Sequence, residues 1–239
     1  MPAMTIKHTG ELPENSDQSL LPELIDFHNA NIVELGCGTA FVTRKLAEAW
    51  PTANIIAAEV DKTQHNKNLA ISDLNNVTFQ LAGMQNINAR DNSVDAVIML
   101  KSLHHVPGHL LQKGFSEVHR ILKPAGKLYI SEPVFDGDFN EILRLFNDEE
   151  KVRQSAFNAT VEAVESGQFK LVREIHFLSK SVFEDFSSFE ERILNVTHSK
   201  FAIDNELYKK IKSRFEAYPA TDGSKVFMNP TRVNLLEKS

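Results

Sequence analysis

An alternation of strand-like and helix-like segments constrains the fold of this 239-residue chain more than any other feature. Five short apolar runs are predicted strands: NIVELG (31–36), NIIAAEV (54–60), VTFQLAG (77–83), VDAVIML (94–100) and KLYISEP (127–133). Between the first two runs, Val42, Leu46 and Trp50 fall at helical spacing. This alternation is typical of βα units built on a parallel sheet.

Local signals predict where the helices begin and end. Thr39 is a predicted N-cap of the first helix, and Pro51 is its predicted stop. A second helix is predicted after Asp61 and a third over residues 107–123. KPAGK (123–127) is the predicted turn into the fifth strand.

The pattern changes after residue 133. Residues 139–167 and 184–216 are predicted to be largely helical, with an extended segment at 169–178 between them. TDGS is a turn signal, and TRVNLLEK reads as a final strand with Pro230 at its entry. Twelve of the 16 phenylalanines lie in this second half, where they pack helices onto the sheet or form an apolar lid over a substrate.

Composition excludes several classes of protein. A net charge of −6 argues against nucleic acid as a partner. One cysteine rules out an internal disulfide and a cysteine-based zinc cluster. The N-terminal residues contain no apolar signal segment, and AVIML is the longest clean apolar run, so we expect a cytoplasmic protein without a membrane partner.

The loop after the first strand selects among nucleotide-like ligands. A dinucleotide fingerprint needs three glycines, but only Gly36 and Gly38 are present, and Phe41 occupies the third position. Glu34 would oppose a pyrophosphate and favour a cationic ligand. Both features argue against an NAD-dependent oxidoreductase.

The second strand adds a site for a ribose. Glu59 ends that strand, 21 residues beyond Gly38, which is the position of an acid that accepts from ribose hydroxyls. A single acid near a glycine loop is more often a cap or a surface charge, but the combination of Glu34, the loop and Glu59 is more specific. A ligand with a ribose, a positive charge and no phosphate fits S-adenosylmethionine better than NAD.

Four segments carry a family resemblance: VELGCGTA, AAEVD, DNSVDAVIMLKSLHHV and EVHRILKPAGKLYISEP. From about residue 30 to 135, the chain resembles class I S-adenosylmethionine-dependent methyltransferases and is similar to the small-molecule ubiquinone and menaquinone group. The resemblance implies an α/β fold with a Rossmann-like, seven-stranded, mostly parallel sheet and helices on both faces. The antiparallel final strand, TRVNLLEK, would lie beside the fifth.

The same resemblance implies a domain plan. Residues 1–30 would form an N-terminal cap segment, and 31–135 the cofactor-binding core. Residues 136–239 would complete the sheet and carry helical insertions that cover the substrate.

The resemblance also implies a cofactor site. The methionine end would be surrounded by Glu34, Gly36, Cys37, Gly38 and Thr39, with the backbone of Lys101 and Ser102 passing close by. Glu59 would hold the ribose, and Val60 would contact the adenine.

Three positions depart from the family pattern. Ala40 and Ala125 replace common glycines. Gly83 stands where the family usually has an aspartate that accepts from the adenine amine. Met84 and Gln85 are the nearest candidates for that contact.

His104 and His105 are the candidate catalytic residues, because histidine can take a proton from an acceptor near neutral pH. The alternative is that they pack under or cap the following helix. No metal site is predicted, because Asp136, Asp138 and Asn140 read as a polar turn. His104, His105 and His109 likewise lack a convincing ligand geometry.

The predicted function is transfer of a methyl group from S-adenosylmethionine to an oxygen, nitrogen or carbon of a small, apolar or aromatic metabolite, with S-adenosylhomocysteine as the product. No Asn- or Asp-Pro-Pro-aromatic tetrapeptide follows the fourth strand, which favours a small-molecule acceptor. The alternative is a regulatory or assembly protein that binds the cofactor without turnover. The sequence carries no signal for the oligomeric state.

Overall fold

A computed structural model describes residues 4–196 and 201–239. The strands are β1 (Asn31–Leu35), β2 (Asn54–Glu59), β3 (Val77–Leu81), β4 (Val94–Leu100), β5 (Leu122–Pro133), β6 (Phe169–Phe183), β7 (Ala220–Thr221) and β8 (Ser224–Lys238). The α-helices are α1 (Asp17–Leu24), α2 (Phe41–Ala49), α3 (Lys62–Asn68), α4 (Leu111–Ile121), α5 (Asp138–Leu143), α6 (Glu150–Glu165), α7 (Phe186–Phe189) and α8 (Asn205–Ala217).

The strands form one mixed sheet in the order β3-β2-β1-β4-β5-β8-β6, with the two-residue β7 paired to β8. Strands β1 to β5 pair in parallel, whereas β8 is antiparallel to both β5 and β6. The predicted seven-stranded sheet, with its antiparallel final strand beside the fifth, is therefore confirmed. The short β7 adds an eighth strand through the hairpin that TDGS predicts.

Helices cover both faces of the sheet because its central strands are apolar on both sides. On one face, Leu20 and Leu21 of α1 and Leu46 of α2 join a buried cluster with strand residues. On the other face, Phe115 of α4 and Ala159 of α6 belong to a second cluster. The carboxyl ends of β1, β2 and β4 consequently meet at one edge of a rigid scaffold.

A third apolar cluster explains the phenylalanine-rich second half. β6 and β8 are each 15 residues long. The C-terminal part of β6 and the N-terminal part of β8 pack against α5, α7 and α8. Phe183, Phe186, Phe189, Phe215 and Phe227 are buried there. Most of these rings pack elements together, as expected for the packing interpretation.

Two predicted boundaries are wrong. The N-cap of α2 is Ala40, which has φ 60° and makes no side-chain capping bond, rather than Thr39. Pro230 lies inside β8 instead of at its entry. The strand accommodates it because its partner Leu178 donates its N–H to Pro13 O (2.9 Å), and Pro230 O accepts from Val134 N–H (2.9 Å).

The turn and helix predictions around β5 and after β6 also need adjustment. β5 already begins at Leu122 and includes KPAGK, where Ala125 adopts φ 61°, the conformation that a glycine would take. The predicted helix over 184–216 is divided into α7, a π-helical turn at Glu190–Leu194, and α8. The part of that prediction at 197–200 lies outside the described residues.

None of the helices in the described ranges is long and apolar enough to cross a membrane.

Candidate active site

The glycines after β1 have different structural roles. Both have positive φ, +75° at Gly36 and +52° at Gly38. A Cβ at Gly36 would lie 2.6 Å from Ser102 Cβ, so the loop packs directly on the segment after β4. No heavy atom lies within 4 Å of a Cβ placed at Gly38. Gly38 therefore borders open space that a ligand could occupy.

The segment after β4 is tied to both neighbouring strands. Ser102 Oγ donates to Leu35 O (2.8 Å), at the end of β1. Lys101 adopts φ 53°, and its N–H donates to Ser131 O of β5 (2.7 Å). These contacts hold the glycine loop and the Lys101–His105 segment in a common framework.

Glu34 points into the protein. Its side chain is 3% exposed and accepts a hydrogen bond from Thr43 Oγ1 of α2 (2.5 Å). Burial raises the pKa of Glu34 to about 7, although the Thr43 hydrogen bond acts in the opposite direction. The structure therefore places this carboxyl in the interior, away from the open space at Gly38.

Glu59 organises the loop from the end of β2. One carboxylate oxygen accepts from Gly38 N–H (2.9 Å), and the other accepts from Val60 N–H (2.7 Å) and Asp61 N–H (2.8 Å). A carboxylate has about four acceptor positions, so about one stays available for another donor.

Two apolar side chains stand exposed at adjoining strand ends. Val60, just after β2, is 67% exposed, and Leu81, the last residue of β3, is 52% exposed. Glu59 and Leu81 are paired in the parallel register of β2 and β3, so both apolar groups lie at the same sheet edge. Exposed apolar groups beside a glycine loop suit the flat face of an adenine. Leu81 was missed at the sequence level, although the end of the adjacent strand is a position that could have identified it.

Cys37 is a packing residue of the loop. It is buried, and its N–H donates to Ala58 O (3.0 Å). Burial, with the carboxylates of Glu34 and Glu59 nearby, raises the pKa of the Cys37 thiol. The Cys37 thiol therefore stays protonated and unreactive. The neighbouring Thr39 is exposed.

Gln85 and Met84 differ in what they can contribute near the adenine position. The Met84 side chain is 2% exposed and packs on α4, where a Cβ at Gly114 would lie 2.6 Å from its sulfur. The Gln85 amide lies beside Gly83, where a Cβ would be 2.6 Å from Gln85 Oε1. Gln85 thus occupies the space into which a side chain at position 83 would project.

His104 forms a buried pair with Glu132. A short 3-10 helix at Leu103–His105 places the His104 ring inside the protein, 5% exposed. His104 Nδ1 is hydrogen-bonded to Glu132 Oε2, and Glu132 Oε1 accepts from Leu103 N–H (2.9 Å). The exposed His105 ring lies 4.1 Å from the His104 ring, centroid to centroid.

Glu149, just before α6, faces the other nitrogen of His104. Its Oε1 lies 3.8 Å from His104 Nε2, and its Oε2 accepts from Arg153 Nη2 (2.6 Å). Although burial opposes ionisation, the charges of His104 and Arg153 hold the pKa of Glu149 below its ordinary value. Neither Glu132 nor Glu149 stood out in the sequence, because each is distant in sequence from the two histidines.

A cavity of about 350 Å³ opens beside these groups. Lys101, His104 and His105 line one side, and Phe139, Leu143 and Phe146 line another. Arg153 and Arg192 add positive charge, while Asn140 and Asn229 add amide groups. The cavity is therefore lined by both apolar rings and polar side chains, the usual composition of a small-molecule site.

Asp136 and Asn140, which follow β5, have different partners. Asp136 pairs with Lys7 (2.5 Å), and Asn140 Oδ1 accepts from Arg153 Nη1 (3.1 Å). These partners direct the two side chains to different interactions.

Comparison with known proteins matches part of the chain to a family model. Residues 32–126 match the model described as a methyltransferase domain. The resemblance to class I S-adenosylmethionine-dependent methyltransferases is therefore confirmed for this part of the chain. The narrower resemblance to ubiquinone and menaquinone methyltransferases stays a prediction.

Two relatives share this part of the chain. Sterol 24-C-methyltransferase of Yarrowia lipolytica is 27% identical over 114 residues, covering 46% of this chain and 29% of that protein. Arsenite methyltransferase of Halobacterium salinarum is 27% identical over 121 residues, covering 49% of this chain and 30% of that protein. The chain thus matches less than a third of either relative's length.

Solved structures share the fold more extensively. The YcgJ protein of Bacillus subtilis superposes with a TM-score of 0.64 at 15% identity, covering 92% of this chain and 97% of that one. A S-adenosylmethionine-dependent methyltransferase from Aquifex aeolicus gives a TM-score of 0.55 at 19% identity, covering 66% and 82%. At these identities the likeness establishes the common architecture.

Proposed function

We propose that this protein transfers a methyl group from S-adenosylmethionine to a small molecule held in the cavity of about 350 Å³. The observation that carries the proposal is the position of the segment Lys101–His105. Ser102 packs on Gly36 of the glycine loop, while Lys101, His104 and His105 line the cavity. A cofactor on the loop and an acceptor in the cavity would therefore meet at this segment.

The open space at Gly38 and the exposed Val60 and Leu81 fit an adenosine-containing ligand. Gly36, Gly38 and the backbone of Lys101 and Ser102 would border its methionine end. When bound, S-adenosylmethionine supplies an electrophilic methyl group on its sulfonium. Alignment of that group with the acceptor is the main contribution that a preorganised site makes to such a displacement.

Glu59 would hold the ribose and the loop together. Its carboxylate already accepts three backbone N–H groups, so one ribose hydroxyl can bind without any loop change. A second hydroxyl would compete with Gly38 N–H. Gln85, whose amide fills the space beside Gly83, is the better of the two predicted partners for the adenine amine.

The histidines would manage the acceptor proton. Glu132 fixes the orientation of His104 through Nδ1. Nε2 is then the atom that faces Glu149 and can take a proton. His105 lies exposed at the cavity and is the second candidate. Glu132 acts through His104 and is therefore a positioning residue.

The acceptor would combine an apolar body with a polar reacting end. Phe139, Leu143 and Phe146 would contact the body, and the histidine side would contact the reacting group. The two relatives act, by their names, on a sterol and on arsenite, which differ too much to identify the acceptor for this chain.

The first experiment is a calorimetric titration of the purified protein with S-adenosylmethionine, S-adenosylhomocysteine and NAD. We expect micromolar binding of the first two and none of NAD. Glu59→Ala should weaken cofactor binding by about 1.5–3 kcal/mol, the range for a hydrogen bond to a charged group. Glu48→Ala, an exposed glutamate on α2, is the matched control. Unchanged cofactor affinity in folded Glu59→Ala would remove Glu59 from the site.

Turnover is tested by incubating the protein with labelled cofactor and a metabolite extract, and measuring S-adenosylhomocysteine. His104→Ala and His105→Ala should lower turnover while leaving cofactor affinity nearly unchanged. Full activity in both variants would exclude proton removal by these histidines. Cofactor binding without turnover would instead support the regulatory or assembly alternative.

A further inference from the structure

The most informative unassigned feature is a group of three potential metal ligands at the cavity. His104, His105 and Glu149 each offer a ligand atom, and these atoms all lie within 4.8 Å of one another. Two imidazoles and a carboxylate are a ligand set that zinc and related divalent ions use in sites that keep an open position. From this geometry we infer that the three residues bind one divalent transition-metal ion.

The hydrogen bonds of His104 direct one nitrogen to such an ion. The Glu132 carboxylate accepts a hydrogen bond from Leu103 N–H and is also hydrogen-bonded to His104 Nδ1. Because a carboxylate can only accept, a neutral His104 ring carries its proton on Nδ1. Nε2 then presents a lone pair toward Glu149 Oε1, 3.8 Å away. Two electron-pair donors that face each other are stabilised by a cation between them, which is either a proton on Nε2 or a metal ion. Metal-binding histidines commonly donate their other ring N–H to a carboxylate, as His104 does to Glu132.

Hydrogen bonds hold the Glu149 side chain in place and still leave its Oε1 able to bind an ion. Arg153 binds Oε2 through Nη2 (2.6 Å) and Nε (3.2 Å), and Oε1 is the oxygen that faces His104. Asn147 Nδ2 also donates to Oε1 (2.9 Å), which leaves that oxygen further acceptor capacity.

A further buried group points to a ligand at the open position. Asn140 is 5% exposed and lines the cavity, and its Oδ1 accepts from Arg153 while its Nδ2 has no partner among the described residues. A buried amide N–H without an acceptor destabilises the protein because the group has lost its hydrogen bonds to water. An oxygen bound beside the ion could satisfy it. Lys101 also lines the cavity, and its positive charge would disfavour a cation close to it, but its side chain is exposed and is not one of the three ligands.

This inference rests on the proposed function in one respect, the role of the ion. A hydroxyl oxygen bound to the ion would lose its proton more easily, since a metal ion lowers the pKa of a bound hydroxyl. That oxygen would form a bond to the methyl carbon as the carbon–sulfur bond breaks. The electron pair of the broken bond stays on sulfur, and the hydroxyl proton leaves to water through the cavity. The acceptor class would then be alcohols or phenols, with His104 serving as a ligand rather than as the base.

The test is metal binding by the untagged full-length protein after dialysis against a chelator. Calorimetry with Zn²⁺ alone and visible spectra with Co²⁺ alone should both report one ion per chain. Glu149→Gln and His105→Ala should weaken Zn²⁺ binding at least about tenfold, and Glu132→Gln by about 10–100-fold. His105 is exposed, so its variant keeps the test informative if Glu149→Gln fails to fold.

His109→Ala is the matched control, because His109 is an exposed histidine on the neighbouring 3-10 turn and lies outside the cluster. No stoichiometric binding by the wild type, or equal losses in His105→Ala and His109→Ala, would overturn the metal site. Cofactor titration of the same metal-free protein separates the two proposals. Cofactor binding without metal binding overturns the metal site alone, and metal binding without cofactor binding overturns the proposed function alone.

Discussion

Replacing Glu34 with glutamine should remove a pH-dependent cost of folding. The unfolded chain loses the Glu34 proton near the ordinary pKa of 4.5, whereas the folded protein keeps it until about pH 7. Between these values the folded state binds more protons, so the free energy of unfolding falls as pH rises through this window. The glutamine variant has no proton to lose at this position and lacks that decrease.

The size of the effect follows from the two pKa values. A carboxyl that titrates at about 7 instead of 4.5 loses roughly 3 kcal/mol of stability on full ionisation. Between pH 5 and pH 8 the linkage relation gives about 2.5 kcal/mol. Glu34→Gln should therefore gain about 2.5 kcal/mol relative to wild type over this interval. Any pH-independent effect of the buried amide cancels in that comparison.

The assay is urea unfolding at pH 5 and pH 8, followed by fluorescence of Trp50, the single tryptophan, which stacks on Phe27. Glu23→Gln, at an exposed position of α1, should show the same pH dependence as wild type. A difference between Glu34→Gln and wild type that stays constant within about 0.5 kcal/mol across the two pH values would refute the reasoning. It would mean that Glu34 ionises in the folded protein as easily as in the unfolded chain.

Two glycine substitutions test the loop. Gly36→Ala combines a positive φ with a Cβ only 2.6 Å from Ser102 Cβ, whereas Gly167→Ala has φ +80° and open space. Chemical denaturation should show Gly36→Ala to be less stable than Gly167→Ala by at least about 1 kcal/mol, and equal losses would contradict the close packing on Ser102. Gly38→Ala should lose no more stability than Gly167→Ala, because its Cβ meets no protein atom. Its S-adenosylmethionine affinity by calorimetry should fall at least about tenfold, and unchanged affinity would place the ligand elsewhere.

The positions of the proposed cofactor-binding residues could be predicted from sequence because they lie on adjacent elements of the chain. Gly36, Gly38, Glu59 and Val60 lie at the ends of consecutive parallel strands, and such ends meet at one sheet edge. The structure places all four there. It also shows what spacing could not indicate, that Glu34 is turned inward against Thr43.

The histidine half could be predicted only in part. His104 and His105 follow β4 directly, so their place at the sheet edge could be read from the chain. Glu132 and Glu149 reach them from β5 and from the start of α6, and no local pattern links these positions. The sequence indicated no metal site at His104, His105 and His109, whereas the fold brings ligand atoms of Glu149 and the first two histidines within 4.8 Å of one another.

The sequence by itself determined the α/β alternation, the parallel sheet of the first five strands and the type of glycine loop, and its family resemblance implied the antiparallel last strand. Periodicity, turn residues and short motifs are encoded by neighbours along the chain, so they can be read without coordinates. Tertiary structure decided which groups surround His104, that Pro230 lies inside β8, and that a cavity lies between the histidines and the phenylalanine-rich segment. Those features depend on side chains distant in sequence packing together, and their contacts exist only once the chain has folded.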